Sequence, residues 1–213
     1  MRKARKLSCA CALSGLGLAA GCSSSVSPAS QGALSVYLNA PSNSMVGTSC
    51  APGAHWINVP FSSAGGQQIN ASNKGNLAVD GVAEMGVSCT VKDNGSGGFN
   101  VSGTMKSPAF DPQGNRRPTS TLVTFRTTVA PGQAGAVGEL TLQDDKTGPG
   151  AIYQSSACIY SVHPVQATDH LEVAPGKMWA QVTCPMFRDM SSSDAGAVCQ
   201  IESGFIVLEN CAH

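Results

Sequence analysis

Apolar and polar side chains alternate with a period of two residues over much of this 213-residue chain. In GVSCTVKDNGSGGFNVSGTMKS, residues 86–107, the apolar positions Val87, Cys89 and Val91 alternate with polar ones. The alternation resumes after a glycine-rich turn, at Phe99 and Val101. Because successive side chains of a strand point to opposite faces, the pattern predicts a β-hairpin with one buried face.

Further strands are predicted along the rest of the chain, separated by Pro, Gly, Asp and Ser. They are STLVTFRTTV, VGELTLQ, ACIYSV, HLEVA, MWAQVTC, CQIESG and FIVLENC. SGFIVLE is apolar without alternation, which predicts a central strand covered on both faces. No segment of helical length has a period of 3.6 residues. The predicted fold is therefore all-β, an antiparallel β-sandwich or barrel of about eight short strands stapled by disulfides.

The N-terminus has the pattern of a secretory signal peptide. MRKARK carries four cations, and the 14 residues of LSCACALSGLGLAA that follow are small or apolar and uncharged. A transmembrane helix needs about 20 apolar residues, so this stretch is too short to be one.

The segment LAAGC, residues 18–22, resembles the lipobox of bacterial lipoproteins, although Ala19 stands where leucine is commoner. The resemblance implies cleavage after residue 21, acylation of Cys22 with lipids such as palmitate, and a location in the cell envelope. Ser23 follows the modified cysteine, which implies the outer membrane if the source is Gram-negative. The alternative is an ordinary signal peptide cleaved nearby, which leaves Cys22 as a free thiol.

The polar run SSSVSPASQG, residues 23–32, has no hydrophobic period and predicts a flexible tether. The expected organisation is a signal peptide over 1–21, the lipidated cysteine and Ser-rich tether over 22–35, and a single β-rich domain over 36–213.

Nine cysteines divide by position. Cys9 and Cys11 leave with the signal peptide and Cys22 takes lipid. Six remain: Cys50, Cys89, Cys158, Cys184, Cys199 and Cys211. An even number in an exported chain predicts up to three disulfides, with buried free thiols as the alternative. Fifteen connectivities are possible, and the one pair that the sequence suggests locally is Cys184 with Cys199, at the neck of a polar loop.

The charge of the mature chain argues against two classes of partner. Four of the thirteen basic residues lie in the signal peptide and all thirteen acidic residues lie beyond it, so nine cations face thirteen anions, a net charge of about −4. No Lys/Arg cluster exists beyond Arg116 and Arg117. Nucleic-acid binding and electrostatic attachment to anionic lipid are therefore not expected.

Two groups of residues are candidates for ligand binding. His163 and His170 flank PVQATD, with Asp169 beside them, and could form part of a metal site or act as a general base. A loop that contains two histidines by chance is the alternative. Trp56 beside His55 could stack on a sugar ring or anchor a partner, or Trp56 could simply lie in the core.

Other chemistry is weakly indicated. Met186 and Met190 have a spacing that copper sites use, whereas core filling or a loop tip also explains them. No CxxC motif or Cys/His cluster with zinc spacing occurs, so no metal site or cofactor is predicted. Asp144 and Asp145 are adjacent in QDDKTGPG, which favours a turn.

The mature chain also resembles, over about a fifth of its length, the mycobacterial 19 kDa lipoprotein antigens. The resemblance lies in the polar run after Cys22, the strand-turn-strand VKDNGSGGFNVSGTM and the strand MWAQVTC. It implies a β-rich, membrane-anchored protein and includes no catalytic motif. The expected function is a lipid-anchored binding or structural module for an envelope protein or glycan. The alternatives are an envelope hydrolase with a site assembled in three dimensions, and a metal carrier.

Overall fold

The computed structural model describes residues 27–41, 50, 53–61, 69–110, 115–144, 151–190 and 198–213. Eleven strands form in these residues: β1 Gln31–Asn39, β2 His55–Val59, β3 Ala78–Val79, β4 Gly86–Asp93, β5 Phe99–Phe110, β6 Arg116–Val129, β7 Ala136–Asp144, β8 Ala151–Ser161, β9 Glu172–Ala174, β10 Lys177–Asp189 and β11 Val198–Glu209. All the strand pairs are antiparallel. The all-β, antiparallel prediction is confirmed. The longest strand, at 14 residues, exceeds the short strands that were expected.

Nine strands follow one another across a single curled sheet, a half-barrel, in the order β2-β1-β11-β10-β8-β7-β6-β5-β4. β3 pairs with β1 and β9 pairs with β10 outside this path. Because β1 and β11 are antiparallel, the start of β1 lies beside the end of β11. We call this side of the sheet the lower end. The opposite side, where β1 finishes and β11 begins, is the upper end.

The alternating positions predicted from the sequence face the inside of the curl. Val87, Val91, Val101 and Leu140 are buried there, within a single apolar core. The turn of the predicted hairpin spans Asn94–Gly98, where the amide of Asn94 donates to the carbonyl of Gly98 (3.0 Å).

β11 confirms the prediction for SGFIVLE, because it lies between β1 and β10 and is buried on both faces. Ile206 and Leu208 face the inside of the curl. Phe205 and Val207 face the outside, where they pack with Leu171 and other residues of a smaller apolar cluster.

The folded domain begins earlier than the predicted boundary at residue 36. β1 starts at Gln31, and Ala33, Leu34 and Ser35 are buried inside it. These residues belong to the sheet and not to the tether because all three pair with β11, and Leu34 and Ser35 also pair with β2. The predicted signal peptide and Cys22 lie outside the described residues.

Three disulfides connect the six remaining cysteines: Cys50–Cys199, Cys89–Cys211 and Cys158–Cys184. The predicted disulfide framework is confirmed, but the suggested pair of Cys184 with Cys199 is wrong. Strand order explains the difference, since β9 lies off the main path and β8 therefore pairs directly with β10. Cys184 thus meets Cys158 across that pair.

The C-terminal residues close the lower end of the curl. The amide of Ala212 donates to the Cys89 carbonyl (3.0 Å), and the Val91 amide donates to the Ala212 carbonyl (2.9 Å). The Cys211 amide donates to the Gly176 carbonyl (2.9 Å), in the turn between β9 and β10. The last strand in the order, β4, is thereby joined to the β9–β10 turn.

Candidate functional site

His55 and Asp144 form an ion pair at the upper end, across the mouth of the curl. His55 begins β2 and Asp144 ends β7, and the two strands are not neighbours in the sheet. Nε2 of His55 lies 2.9 Å from Oδ2 of Asp144. The side chains are 16% and 3% exposed, so water screens the contact little. Asp144 is therefore a buried partner of His55 and not a residue of the turn that the sequence favoured.

Both ring nitrogens of His55 face oxygen acceptors, because Nδ1 lies 2.9 Å from the carbonyl oxygen of Gly53. These two contacts occupy both ring nitrogens, so neither nitrogen is directed towards a substrate. The geometry suits a structural contact that holds β2 against β7 better than it suits a general base.

His163 and His170 do not form the paired site that the sequence suggested. Both are exposed, and the ring of His170 packs on Trp179 with 5.7 Å between ring centroids. Asp169, the expected carboxylate partner, accepts the backbone amides of Val165 (2.9 Å) and Gln166 (2.8 Å). The Asp169 side chain therefore stabilises the turn over residues 165–169.

Trp56 lies on the outer face of β2, directly opposite Tyr37 of β1. The two ring centroids are 5.2 Å apart with a 45° angle between the planes. Both side chains are half-buried, so Trp56 is neither a core residue nor a fully exposed one. The neighbouring cross-strand pair on this face is polar and buried, and Ser35 Oγ donates to Asn58 Oδ1 (2.6 Å). Aromatic side chains are enriched where proteins bind carbohydrates and other proteins.

Met186 on β10 and Met190, the residue after this strand, are exposed at 50% and 59%. Residues four apart on an extended strand have Cα atoms about 13 Å apart. The two thioethers are therefore badly spaced to hold one copper ion between them. The described residues contain no group of three or more His, Cys, Asp or Glu side chains that could hold a metal.

A cleft of about 690 Å³ lies at the lower end, between residues 27–30 and the C-terminal segment 209–213. Two of its charged residues are already paired. Lys177 Nζ contacts Glu172 at 2.8 Å, and Glu209 contacts Lys74 at 2.7 Å. The cleft thus offers little unpaired charge to a ligand.

Tyr160 is a buried titratable group in the core. Burial raises the pKa of its hydroxyl well above the ordinary value, and the negative charge of Glu139 raises it further. The hydroxyl donates to the Glu139 backbone carbonyl (2.8 Å), so Tyr160 acts as a structural donor in the sheet.

No protein-family model, curated protein or solved structure gives a significant match to this chain. Within the described ranges, no helix is long and apolar enough to cross a membrane.

Two partner residues were not predicted from the sequence: Asp144, which contacts His55, and Tyr37, which contacts Trp56. Asp144 is 89 residues from His55, so only the curl of the sheet brings them together. Tyr37 could have been found, because Leu34, Val36 and Leu38 alternate around it as they do in a strand.

Proposed function

We propose that this chain is a lipid-anchored cell-envelope protein that binds an envelope protein or glycan at the outer face of β1 and β2. Acylated Cys22 holds it to the membrane. The ligand-binding residues are Trp56 and Tyr37, with His55 fastening the strand that carries Trp56.

The observation that carries the proposal is the position of β1. Gln31, the first residue of the sheet, follows Cys22 by only nine positions. A chain of that length spans at most about 30 Å. The lower end is therefore held near the bilayer, whereas Trp56 lies close to the upper end and farther from the anchor.

Three disulfides support an oxidising compartment, since such bonds persist mainly in exported proteins. A pocket that holds His163 or His170 beside a carboxylate would favour the hydrolase alternative, and a general-base histidine needs a nitrogen free to accept a proton. His55, the histidine that contacts a carboxylate in the described part of the chain, has both nitrogens engaged. No described contact favours the hydrolase.

The anchor is tested by expressing the full chain in a lipoprotein-processing bacterium with an alkyne analogue of palmitate. The wild type should carry the label and sediment with membranes, and its intact mass should match a chain that starts at acylated Cys22. Cys22→Ala should lose the label and move to the soluble fraction. Ser23→Ala, a change of the next residue, should behave like the wild type. Membrane retention of Cys22→Ala would refute the anchor.

The binding surface is tested separately by cosedimentation with purified cell-wall glycan and by crosslinking to envelope proteins. Trp56→Ala should reduce capture of the partner about tenfold, as expected for an aromatic hot spot. Val137→Ala removes another exposed apolar side chain, on β7, and should leave capture unchanged. Equal capture by both variants would exclude Trp56 from the site.

A further inference from the structure

A second surface, on the outer face of β8 and β10, has a local irregularity that a continuous sheet would lack. Between Thr183–Ile159 and Arg188–Gln154 the pairing of β10 with β8 is interrupted. Pro185 lies in this gap and has no N–H with which to continue the ladder.

Both strands bulge at this gap. On β8, Ser156 and Ala157 are exposed in succession, and the register with β7 shifts beside them. On β10, Pro185 and Met186 are exposed in succession, and the register with β11 shifts on both sides of Cys184. Bulges bend a strand and re-aim its side chains, and they are common beside binding sites.

The facing bulges border a cleft of about 390 Å³. Met186, Arg188 and Met190 form one wall, and residues 154–157 of β8 form the other. Ile152 continues the apolar surface beyond Met190, whose amide donates to the Ile152 carbonyl (2.7 Å). These three apolar side chains are exposed by 38% to 59%, and they surround one cation.

The guanidinium of Arg188 makes no ion pair or hydrogen bond with any residue that the structure describes. Arg116, by contrast, has an exposed side chain that is already paired. Both of its terminal guanidinium nitrogens donate to the carboxylate of Glu84. An unpaired guanidinium between exposed methionines has the composition of a protein interface, where Arg and Met are enriched. The charge complementary to this surface is a carboxylate.

The spacing of the three side chains fits a partner with an extended backbone. Met186 and Arg188 are exposed on one face of β10, with Cα atoms about 6.6 Å apart. Met190 follows the last residue of β10, and its hydrogen bond to Ile152 continues the pairing with β8 by one more step. An extended peptide that lies along β10 has the same step. A carboxylate over Arg188 then places apolar side chains two residues away over Met186 and Met190.

We propose that this cleft is a docking site for an extended acidic peptide of a partner protein, with Asp or Glu flanked by apolar residues at the i−2 and i+2 positions. Arg188 binds the carboxylate through its planar pair of N–H donors. The flexible side chains of Met186 and Met190 pack against the apolar side chains of the peptide. The site is separate from Trp56, and its test does not depend on lipid at Cys22.

The test is calorimetric titration of the full chain, purified in detergent, with the capped peptide Gly-Ser-Leu-Thr-Glu-Thr-Leu-Ser-Gly. We expect a dissociation constant below about 1 mM, as is usual for a small interface. Arg188→Gln should weaken binding about tenfold, and so should replacement of the peptide's Glu by Gln. Arg126→Gln, the same change at an exposed arginine on β6, should have no effect.

Met186→Ser provides a second test at a residue without charge, and it should also weaken binding. Because the substituted side chains are exposed, unchanged thermal unfolding is expected for every variant. Three results would overturn the proposal. These are no binding of the Glu peptide below 1 mM, equal binding of the Glu and Gln peptides, and self-association of the chain that Arg188→Gln abolishes, which would make a second copy the occupant.

Discussion

At the residue scale, the His55–Asp144 pair predicts a specific loss of stability. His55→Ala removes a charge-assisted donor from a carboxylate whose side chain is only 3% exposed. The free energy of unfolding should fall by about 2 kcal/mol, as for other hydrogen bonds to buried charged groups. Urea unfolding at pH 6 measures the loss.

The matched control is His163→Ala, a change at an exposed histidine, which should alter stability by less than about 0.5 kcal/mol. His55→Gln, which keeps one donor, should be intermediate. Equal stability of the His55 and His163 variants would mean that the ion pair contributes nothing to the fold.

Tyr160 predicts the response to alkaline pH. The pKa of its hydroxyl is raised in the folded protein because the buried side chain is costly to ionise. The folded state therefore holds this proton more tightly than the unfolded state, in which the pKa is about 10. The stabilisation is complete below pH 10 and declines above it, by up to about 1.4 kcal/mol per pH unit.

Urea unfolding between pH 8 and pH 11 measures this decline. Tyr160→Phe should reduce the alkaline slope by one proton and cost about 1 kcal/mol at pH 8 through the lost hydrogen bond to Glu139. Tyr37→Phe leaves Tyr160 in place and should keep the slope. An unchanged slope in Tyr160→Phe would assign the alkaline loss to other groups.

At the element scale, the C-terminal residues should protect β4 from opening. β4 is the last strand in the sheet order, and Ala212 exchanges backbone hydrogen bonds with Cys89 and Val91 on its outer edge. The Cys89–Cys211 disulfide fixes this contact. The double variant Cys89→Ala/Cys211→Ala should lose about 3 kcal/mol of stability, and the β4 amides should exchange hydrogen faster than those of the central strands.

The double variant Cys158→Ala/Cys184→Ala is the control for this prediction. It removes a disulfide between β8 and β10, which are paired directly on either side of it. Its effect on amide exchange should be centred on those strands. If both variants raised exchange equally along β4, the C-terminal segment would have no local role there.

Strands with strong alternation could be predicted from the sequence, and those that depend on distant pairing could not. The hairpin of β4 and β5 and the apolar strand β11 carry their own patterns. β3 and β9, with two and three residues, exist only because β1 and β10 pair with them. β1 directly follows the Ser-rich run, so its first residues were assigned to the tether. The alternation of Leu34, Val36 and Leu38, which indicates a strand, begins only after that run.

The same limit applies to the candidate site and to the disulfides. Trp56 and His55 could be named as candidates because the side chains themselves carry the chemistry. Their partners Tyr37 and Asp144 depend on the register of β1 with β2 and on the curl of the sheet. The cysteine count fixed the number of bonds, whereas their connectivity followed from strand order.

At the scale of the whole molecule, the lipid anchor that we propose at Cys22, with its short connection to β1, predicts an orientation on the membrane. Lys92 near the end of β4 lies towards the lower end, whereas Lys106 on β5 pairs opposite Gly86 at the start of β4. Six residues of strand separate the two positions, which is about 20 Å. Both lysines are exposed and make no ion pair with a described residue.

A bilayer beside the lower end should shield Lys92 more than Lys106 from a membrane-impermeant acylating reagent. We expect Lys92 of the vesicle-bound protein to react at least about twofold more slowly than in the soluble Cys22→Ala variant, measured by peptide mass spectrometry over time. The rate at Lys106 should be the same in both forms, and it serves as the internal control. Equal rates at Lys92 in the two forms would mean that the tether lets the domain turn freely. In that case the outer face of β1 and β2 would have no fixed direction relative to the membrane, and its accessibility would follow from the tether's flexibility alone.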